Sequence, residues 1–176
     1  MKGSSMVKSI SLLAFAIAIG CATAATSGPI DGLAKVTSKT KFAVTKADAE
    51  WKRTLAPDAY LILRKADTER AYSGKYWDFH GKGTYLCAAC DLELFSSDDK
   101  FDSQTGWPSF TREIKHGRTL TRTDLSDGME RDEVVCSRCG SHLGHVFDDG
   151  PEPTHLRFCM NSPALKFKPK KSAPGP

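Results

Sequence analysis

The sequence has little net charge. Across 176 residues, 25 Lys and Arg stand against 21 Asp and Glu, a formal +4. Two of those bases, Lys2 and Lys8, fall in residues 1–24, so the remainder carries 23 against 21, or +2. Without a basic stripe, so small an excess excludes nucleic acid as an expected partner, because phosphate neutralisation needs clustered cations. The one cluster, Lys166, Lys168, Lys170 and Lys171, reads as a solvated tail. Long apolar runs are also missing. The stretch Ile10 to Ile19 is broken only by Ser11, yet it is too short to span a bilayer as a mature helix. No repeat of fixed period is visible beyond two C-x-x-C pairs, so a repeat architecture is not expected. What remains is the ordinary composition of a soluble globular protein, long enough for one domain.

Residues 1–24 read as an export signal rather than as fold. Lys2 and Lys8 precede the apolar run, and Ala22-Thr23-Ala24 offers an A-x-A cleavage site. Ala18-Ile19-Gly20-Cys21 also resembles a lipoprotein box, which would make Cys21 a lipid anchor. The expected location is therefore periplasmic or secreted, with a lipoprotein, an uncleaved anchor or an organelle-targeted protein as alternatives. Residues 25–44 are rich in Ser, Thr, Gly and Ala and read as a linker. A domain is expected over 45–168, and a disordered tail over 169–176.

Within the domain, Thr45-Lys-Ala-Asp48 is a weak capping box opening a helix to about Leu55. Pro57 suits the first turn of a second helix to about Lys65. Trp51, Leu55, Tyr60, Leu61 and Leu63 are expected to give these helices a buried face. Past residue 70 short apolar stretches alternate with turns: Thr84–Leu86, Leu92–Phe95, Arg118–Thr123, Glu133–Val135, Leu143–Phe147 and Leu156–Met160. This pattern predicts a mainly β fold of antiparallel sheets.

Chemistry-bearing residues crowd into Cys136 to Asn161. Cys136 and Cys139 match a second pair, Cys87 and Cys90. Two C-x-x-C turns can complete a tetrahedral S₄ shell, which suits one structural zinc and leaves no open position for catalysis. A disulfide or redox dithiol is the alternative, although no βαβ context surrounds either pair. Cys159 is the cysteine left over. Arg157 lies two residues away, on the same face of a strand, and a nearby cation favours a thiolate. Asn161 would share that face. His142 and His145 could stabilise the thiolate or give a proton to a leaving oxygen. His80, His116 and His155 have no such company. In the loop Phe95 to Phe110, Gly106-Trp107-Pro108 presents a ring able to wall a small apolar pocket.

From Thr45 to Phe167 the chain resembles the B-type methionine sulfoxide reductases. The resemblance rests on Gly83-Thr-Tyr-Leu-Cys-Ala-Ala-Cys90, Leu94-Phe-Ser-Ser97, Lys100-Phe-Asp-Ser103, Thr105-Gly-Trp-Pro-Ser-Phe110, Ser141-His-Leu-Gly-His-Val-Phe-Asp148 and Arg157-Phe-Cys-Met-Asn-Ser162. It implies two facing antiparallel sheets with short N-terminal helices and a zinc clip. It places the nucleophile on Cys159, sulfoxide binding and acid help on His142, His145 and Asn161, the aromatic wall on Trp107, and support of the nucleophile on Arg157. The implied reaction reduces the R epimer of methionine sulfoxide, free or in oxidised proteins, with a thioredoxin-like or small-thiol reductant resetting the enzyme. A monomer is expected. Thr105 stands where many members have a resolving cysteine. Gln104 and His155 stand where glycine is usual, His155 near enough to Cys159 to affect the pocket mouth. Two rival readings remain at this point, a zinc-ribbon binding module and a thiol-disulfide oxidoreductase.

Overall fold

The computed structural model describes residue 30 and residues 32–171. The export signal, Cys21 and residues 172–176 of the expected tail lie outside the described residues. Two short helices come first, α1 (Asp48–Thr54) and α2 (Pro57–Lys65). Thr45 does not cap α1. The N-cap is Ala47, without a side-chain bond, and Asp48 and Glu50 in the first turn favour the helix dipole instead. Pro57 does open α2, which ends on Ala66 in the left-handed region. Trp51, Tyr60 and Leu63 are buried as expected, whereas Leu61 faces outward at 47% exposure, and Ile62 takes its place.

Nine strands follow among the described residues, forming two sheets. The smaller sheet has the order β2 (Glu93–Ser96), β1 (Gly83–Cys87), β9 (Leu165–Pro169). The larger runs β3 (Lys100–Phe101), β4 (Ser109–Phe110), β8 (Arg157–Met160), β7 (His142–Phe147), β6 (Arg131–Cys136), β5 (Thr119–Asp124). Every pairing within the sheets is antiparallel. The sheets face each other through aromatic rings. Phe95 on β2 stacks on Phe110 of β4 at 4.5 Å between centroids, and Tyr85 on β1 meets Phe110 edge-on at 4.9 Å. Phe158 of β8 completes this layer against Phe95. Burying rings of this size gives the two sheets one core.

Two segments depart from the sequence reading. The stretch 25–44 is not a free linker where it is described. Val36 N–H donates to the Thr121 carbonyl and Thr121 N–H to the Ala34 carbonyl, both at 2.8 Å, so this stretch covers the outer edge of β5. Ile30, Leu33 and Val44 pack against the core, apolar anchors that the Ser/Thr/Gly composition disguises. At the other end, Pro169 closes β9 opposite Gly83, and Lys170 N–H donates to the Lys82 carbonyl at 2.9 Å. The expected tail therefore starts too early by these residues. Lys166 and Lys168 sit on an edge strand, paired with Asp91 and Glu93, where charge discourages pairing with another chain.

Candidate active site

One transverse row of the larger sheet gathers the polar residues. Register places Arg122 opposite Glu133, Glu133 opposite His145, His145 opposite Cys159, and Cys159 opposite Ser109. Residues directly opposite one another in a sheet share a face. His142 and His145 are three apart, so a regular strand would send them to opposite faces. A bulge between Val134 and Val135 of β6 and the facing β7 absorbs Leu143 and resets the alternation. The two imidazoles then meet edge-on at 5.5 Å. Gly144 lies beside this bulge because a Cβ there would stand 2.1 Å from the Cys159 carbonyl oxygen.

The two histidines are held by different acids. Nδ1 of His142 lies 2.8 Å from Glu133, whose carboxylate also takes two bonds from Arg122. Nε2 of His145 lies 2.8 Å from Asp124, which Arg131 also holds at 2.9 Å. Burial pushes the Glu133 carboxyl up, but the His142 and Arg122 bonds outweigh it and bring it to about 2. Asp124 is held well below the usual carboxylate range: burial opposes, while Ser126, His145 and Arg131 prevail. For His145 burial lowers the pKa, the Asp124 bond resists, and Arg131 and His142 add repulsion.

Cys159 opens onto a cleft of about 120 Å³. Trp107, His145, Phe147, Asn161, Thr68 and Arg131 line it with the thiol. His142 does not line it; its ring is buried behind His145. The Trp107 indole N–H donates to the Glu69 carbonyl at 3.1 Å, which fixes the ring at the wall. Asn161 is fastened as well. Its amide oxygen accepts from Glu69 N–H at 3.0 Å, and its amide nitrogen donates to the Leu143 carbonyl at 3.2 Å. Glu69 thus ties both residues to the loop after α2. The Trp107 loop is pinned from the same side, because Tyr72 N–H donates to the Gly106 carbonyl at 2.9 Å. A Cβ at Gly106 would meet that same nitrogen at 2.6 Å.

Arg157 makes two 2.7 Å bonds to Asp149 and stacks over Phe147 at 4.2 Å. Its charge reaches Cys159 from the same face. The thiol nevertheless sits above the ordinary cysteine value. Burial pushes it up, and Arg157, Thr105 and Ser109 only partly offset this. Arg157 thus favours the thiolate as its spacing suggested, but burial opposes it more strongly. The sequence reading gave weight to the cation and could not see the burial.

The four remaining described cysteines lie where the two sheets meet. Cys87 ends β1 and Cys136 ends β6, each followed by a turn that brings back Cys90 or Cys139. In each turn the residue after the second cysteine, Asp91 or Gly140, is left-handed and donates its N–H to the carbonyl of Cys87 or Cys136. All four sulfurs lie within 4.8 Å of one another, with Cys87 to Cys139 at 3.7 Å and Cys90 to Cys136 at 3.6 Å. Sulfurs bonded to one zinc at about 2.3 Å stand roughly 3.8 Å apart, so the set fits a tetrahedral ion. These separations are far beyond a disulfide bond of about 2.05 Å.

The SelR domain family matches residues 55–169, which include both sheets, all four clustered cysteines and the cleft. The chain belongs to the SelR family. It is 57% identical over 125 residues to a peptide methionine sulfoxide reductase MsrB of Thiobacillus denitrificans, covering 71% of this chain and 95% of that protein. Similar proteins of the same name occur in Leptospira interrogans, 53% identical over 127 residues, and Methanosarcina barkeri, 56% identical over 126. These matches cover 72% of this chain in each case, and 97% and 89% of the respective relatives. The resemblance to B-type methionine sulfoxide reductases drawn from the motifs is thereby borne out.

Two departures of this SelR chain from the usual pattern have a backbone meaning. Gln104 and His155 both adopt positive φ, 57° and 55°, where glycine avoids the Cβ clash. His155 is not at the pocket mouth. Its exposed ring pairs with Glu152 at 3.0 Å. The acids behind the histidines, together with Arg131 and Glu69, escaped the sequence reading. A faint signal existed in the alternate charged positions Arg122 and Asp124, and Arg131 and Glu133, which share one strand face each.

Proposed function

We propose that this protein reduces the R epimer of methionine sulfoxide to methionine, as repair of oxidised protein chains or on the free amino acid. The opposition of His145 and Cys159 within the Trp107-walled cleft carries the reading. The substrate methyl packs on Trp107 and the sulfoxide oxygen points to His145. The Cys159 sulfur attacks the sulfoxide sulfur while an imidazolium protonates the leaving oxygen. Two electrons pass from the Cys159 sulfur to the substrate sulfur, the oxygen ends on Cys159 as a sulfenic acid, and the thioether departs. Two equivalents of an external thiol then return Cys159 to its reduced form, releasing water and a disulfide. Thr105 cannot serve as the internal partner, since its hydroxyl forms no disulfide.

Zinc at Cys87, Cys90, Cys136 and Cys139 would take no part in the step and would fasten the two sheets. Action outside the cytoplasm rests on the signal-like residues 1–24, and the mass of the mature chain would test it. Function is tested by separate incubation with peptides carrying the R or S sulfoxide and a dithiol reductant, followed by chromatography of the product. Methionine is expected from the R peptide alone, and none with Cys159→Ser. No product from either epimer, with zinc bound and fold intact, would favour a zinc-ribbon binding module.

A further inference from the structure

Behind Cys159, on the side away from His145, lies a row of hydroxyls. Thr105 Oγ1 is 3.9 Å from the Cys159 sulfur, near the long limit of a sulfur hydrogen bond. Ser103 Oγ is 2.8 Å from Thr105 Oγ1 and 2.7 Å from Ser109 Oγ. Ser109 Oγ in turn donates to the Trp107 carbonyl at 3.3 Å. Ser109 is fully buried and sits opposite Cys159 in the β4–β8 pair. Three hydroxyls thus connect the reacting sulfur to a main-chain carbonyl.

We propose that Ser103, Thr105 and Ser109 form a hydroxyl relay that turns its donors toward Cys159 when the sulfur ionises. The direction of the row follows from its end. With the thiol protonated, Ser109 donates to the carbonyl, Ser103 to Ser109 and Thr105 to Ser103. Thr105 is left only lone pairs for the S–H. A carbonyl accepts a hydrogen bond but not a proton near neutral pH, so the row cannot carry the thiol proton away. When that proton leaves by another route, Thr105 rotates its O–H onto the thiolate and Ser103 rotates onto Thr105. No heavy atom has to move. A hydrogen bond to an anion is worth more than one to a neutral thiol, so the relay favours the ionised form. Thr105 and Ser109, which both face the sulfur, are catalytic residues; Ser103 bridges their hydroxyls and is a positioning residue.

Other groups facing the sulfur are accounted for separately. Arg157 on β8 contributes charge and a hydrogen bond, Arg131 on β6 lines the same cleft, and His145 on β7 faces the sulfur from the opposite side. None belongs to the relay. The proposal rests on Cys159 being the reacting thiol of the function above, but its test needs no sulfoxide. The rate of Cys159 alkylation by iodoacetamide would be followed against pH in the full zinc-loaded chain. Thr105→Val keeps the shape and removes the hydroxyl. It should raise the midpoint by about one pH unit and slow alkylation roughly tenfold near pH 7. Ser103→Ala should give a smaller shift of the same sign, and Ser103→Thr should restore it. A midpoint unmoved in Thr105→Val overturns the proposal. So does a Ser103→Ala variant that loses thermal stability with no shift, since those hydroxyls would then only hold the loop. Loss of sulfoxide reduction alone, with normal alkylation midpoints, would bear on the function and not on the relay.

Discussion

His145 stands directly across β7 and β8 from Cys159, while His142, three residues earlier, is buried behind it. On the proposed mechanism this placement favours His145 over His142 as the proton donor. The His145 Nε2 is held by Asp124 at 2.8 Å, which leaves Nδ1 as the ring nitrogen proposed to donate. His145→Ala should lower kcat by about 10²-fold or more. His142→Ala should cost less in kcat and more in thermal stability, because it leaves the Glu133 carboxylate without its buried partner. Steady-state rates and melting curves for both variants check the order. Equal losses of kcat would remove the distinction between the two rings.

Burial raises the Cys159 thiol and disfavours its ionised form. Its pKa lies above the ordinary 9, so the reactive form is scarcer at neutral pH than for a free cysteine. Alkylation of the wild-type thiol should therefore rise through a midpoint above pH 9. His145 is displaced the other way, so its acid form fades as pH rises through a value below 6.5. Both shifts favour the neutral pair in the free enzyme, and substrate binding is expected to favour its ionised form. Titration of the thiolate ultraviolet absorbance, with and without bound dimethyl sulfone, checks this: the midpoint is expected to fall with the sulfone bound, and an unmoved midpoint would contradict it.

Glu133 makes an acid-sensitive contribution. Its folded pKa, about 2, is below its ordinary 4.5, so its stabilisation is fully present above 4.5 and is lost as pH falls toward 2. A displacement of this size corresponds to about 3 kcal/mol. Glu133→Gln should lower the stability at pH 7 by an amount of that order and flatten its decline between pH 4.5 and 2. Urea unfolding at a series of pH values measures both effects. Parallel curves for the two proteins would contradict the assignment.

Much of this site was readable before the structure, and the unreadable part has a physical cause. The two C-x-x-C pairs, Cys159 and Trp107 are residue types whose chemistry shows in the sequence. Six of the seven longer strands also emerged, displaced by a residue or two at their ends; β9 (Leu165–Pro169) did not, because its alternating lysines read as a solvated tail. β3 and β4 hold two residues each, too few to show a period. The bulge at Leu143 leaves no composition signal, yet it decides that His142 and His145 share a face. The Glu133 and Asp124 partnerships depend on register between strands, which one strand's sequence does not contain. Gln104 and His155 illustrate the converse: each sits at positive φ that its own residue type does not advertise.

The sulfur cluster joins β1 of one sheet to β6 of the other, so metal removal should loosen the sheets together. Cys136→Ser should release zinc and lower the melting temperature, because binding energy at such a site is folding energy. Elemental analysis and calorimetry on the same sample check the coupling. The Arg138 side chain, which donates to the Cys90 carbonyl at 3.1 Å, offers a milder probe of the same junction. A Cys136→Ser chain without zinc, yet with an unchanged melting temperature, would show that the aromatic layer alone holds the sheets.

The remaining prediction concerns how Cys159 is reset. Thr105 Oγ1 lies 3.9 Å from the Cys159 sulfur, while the other described cysteines are gathered in the S₄ cluster. On the proposed scheme a Cys159 sulfenic acid would meet a hydroxyl where a thiol would resolve it. Reduced protein given excess sulfoxide and no reductant should yield about one methionine per chain, with Cys159 open to a sulfenate-specific reagent and exposed to over-oxidation. Thr105→Cys would put a sulfur near that hydroxyl position, close to the separation from which a bond of about 2.05 Å can close with a small rotation. That variant should form a Cys159 disulfide, lose sulfenate trapping and resist sulfinic acid formation. Mass spectrometry of peptides after one turnover distinguishes the products. A disulfide in the wild-type chain between Cys159 and Cys87, Cys90, Cys136 or Cys139 would contradict this scheme. It would make the metal cluster the resolving partner, at the expense of its ion.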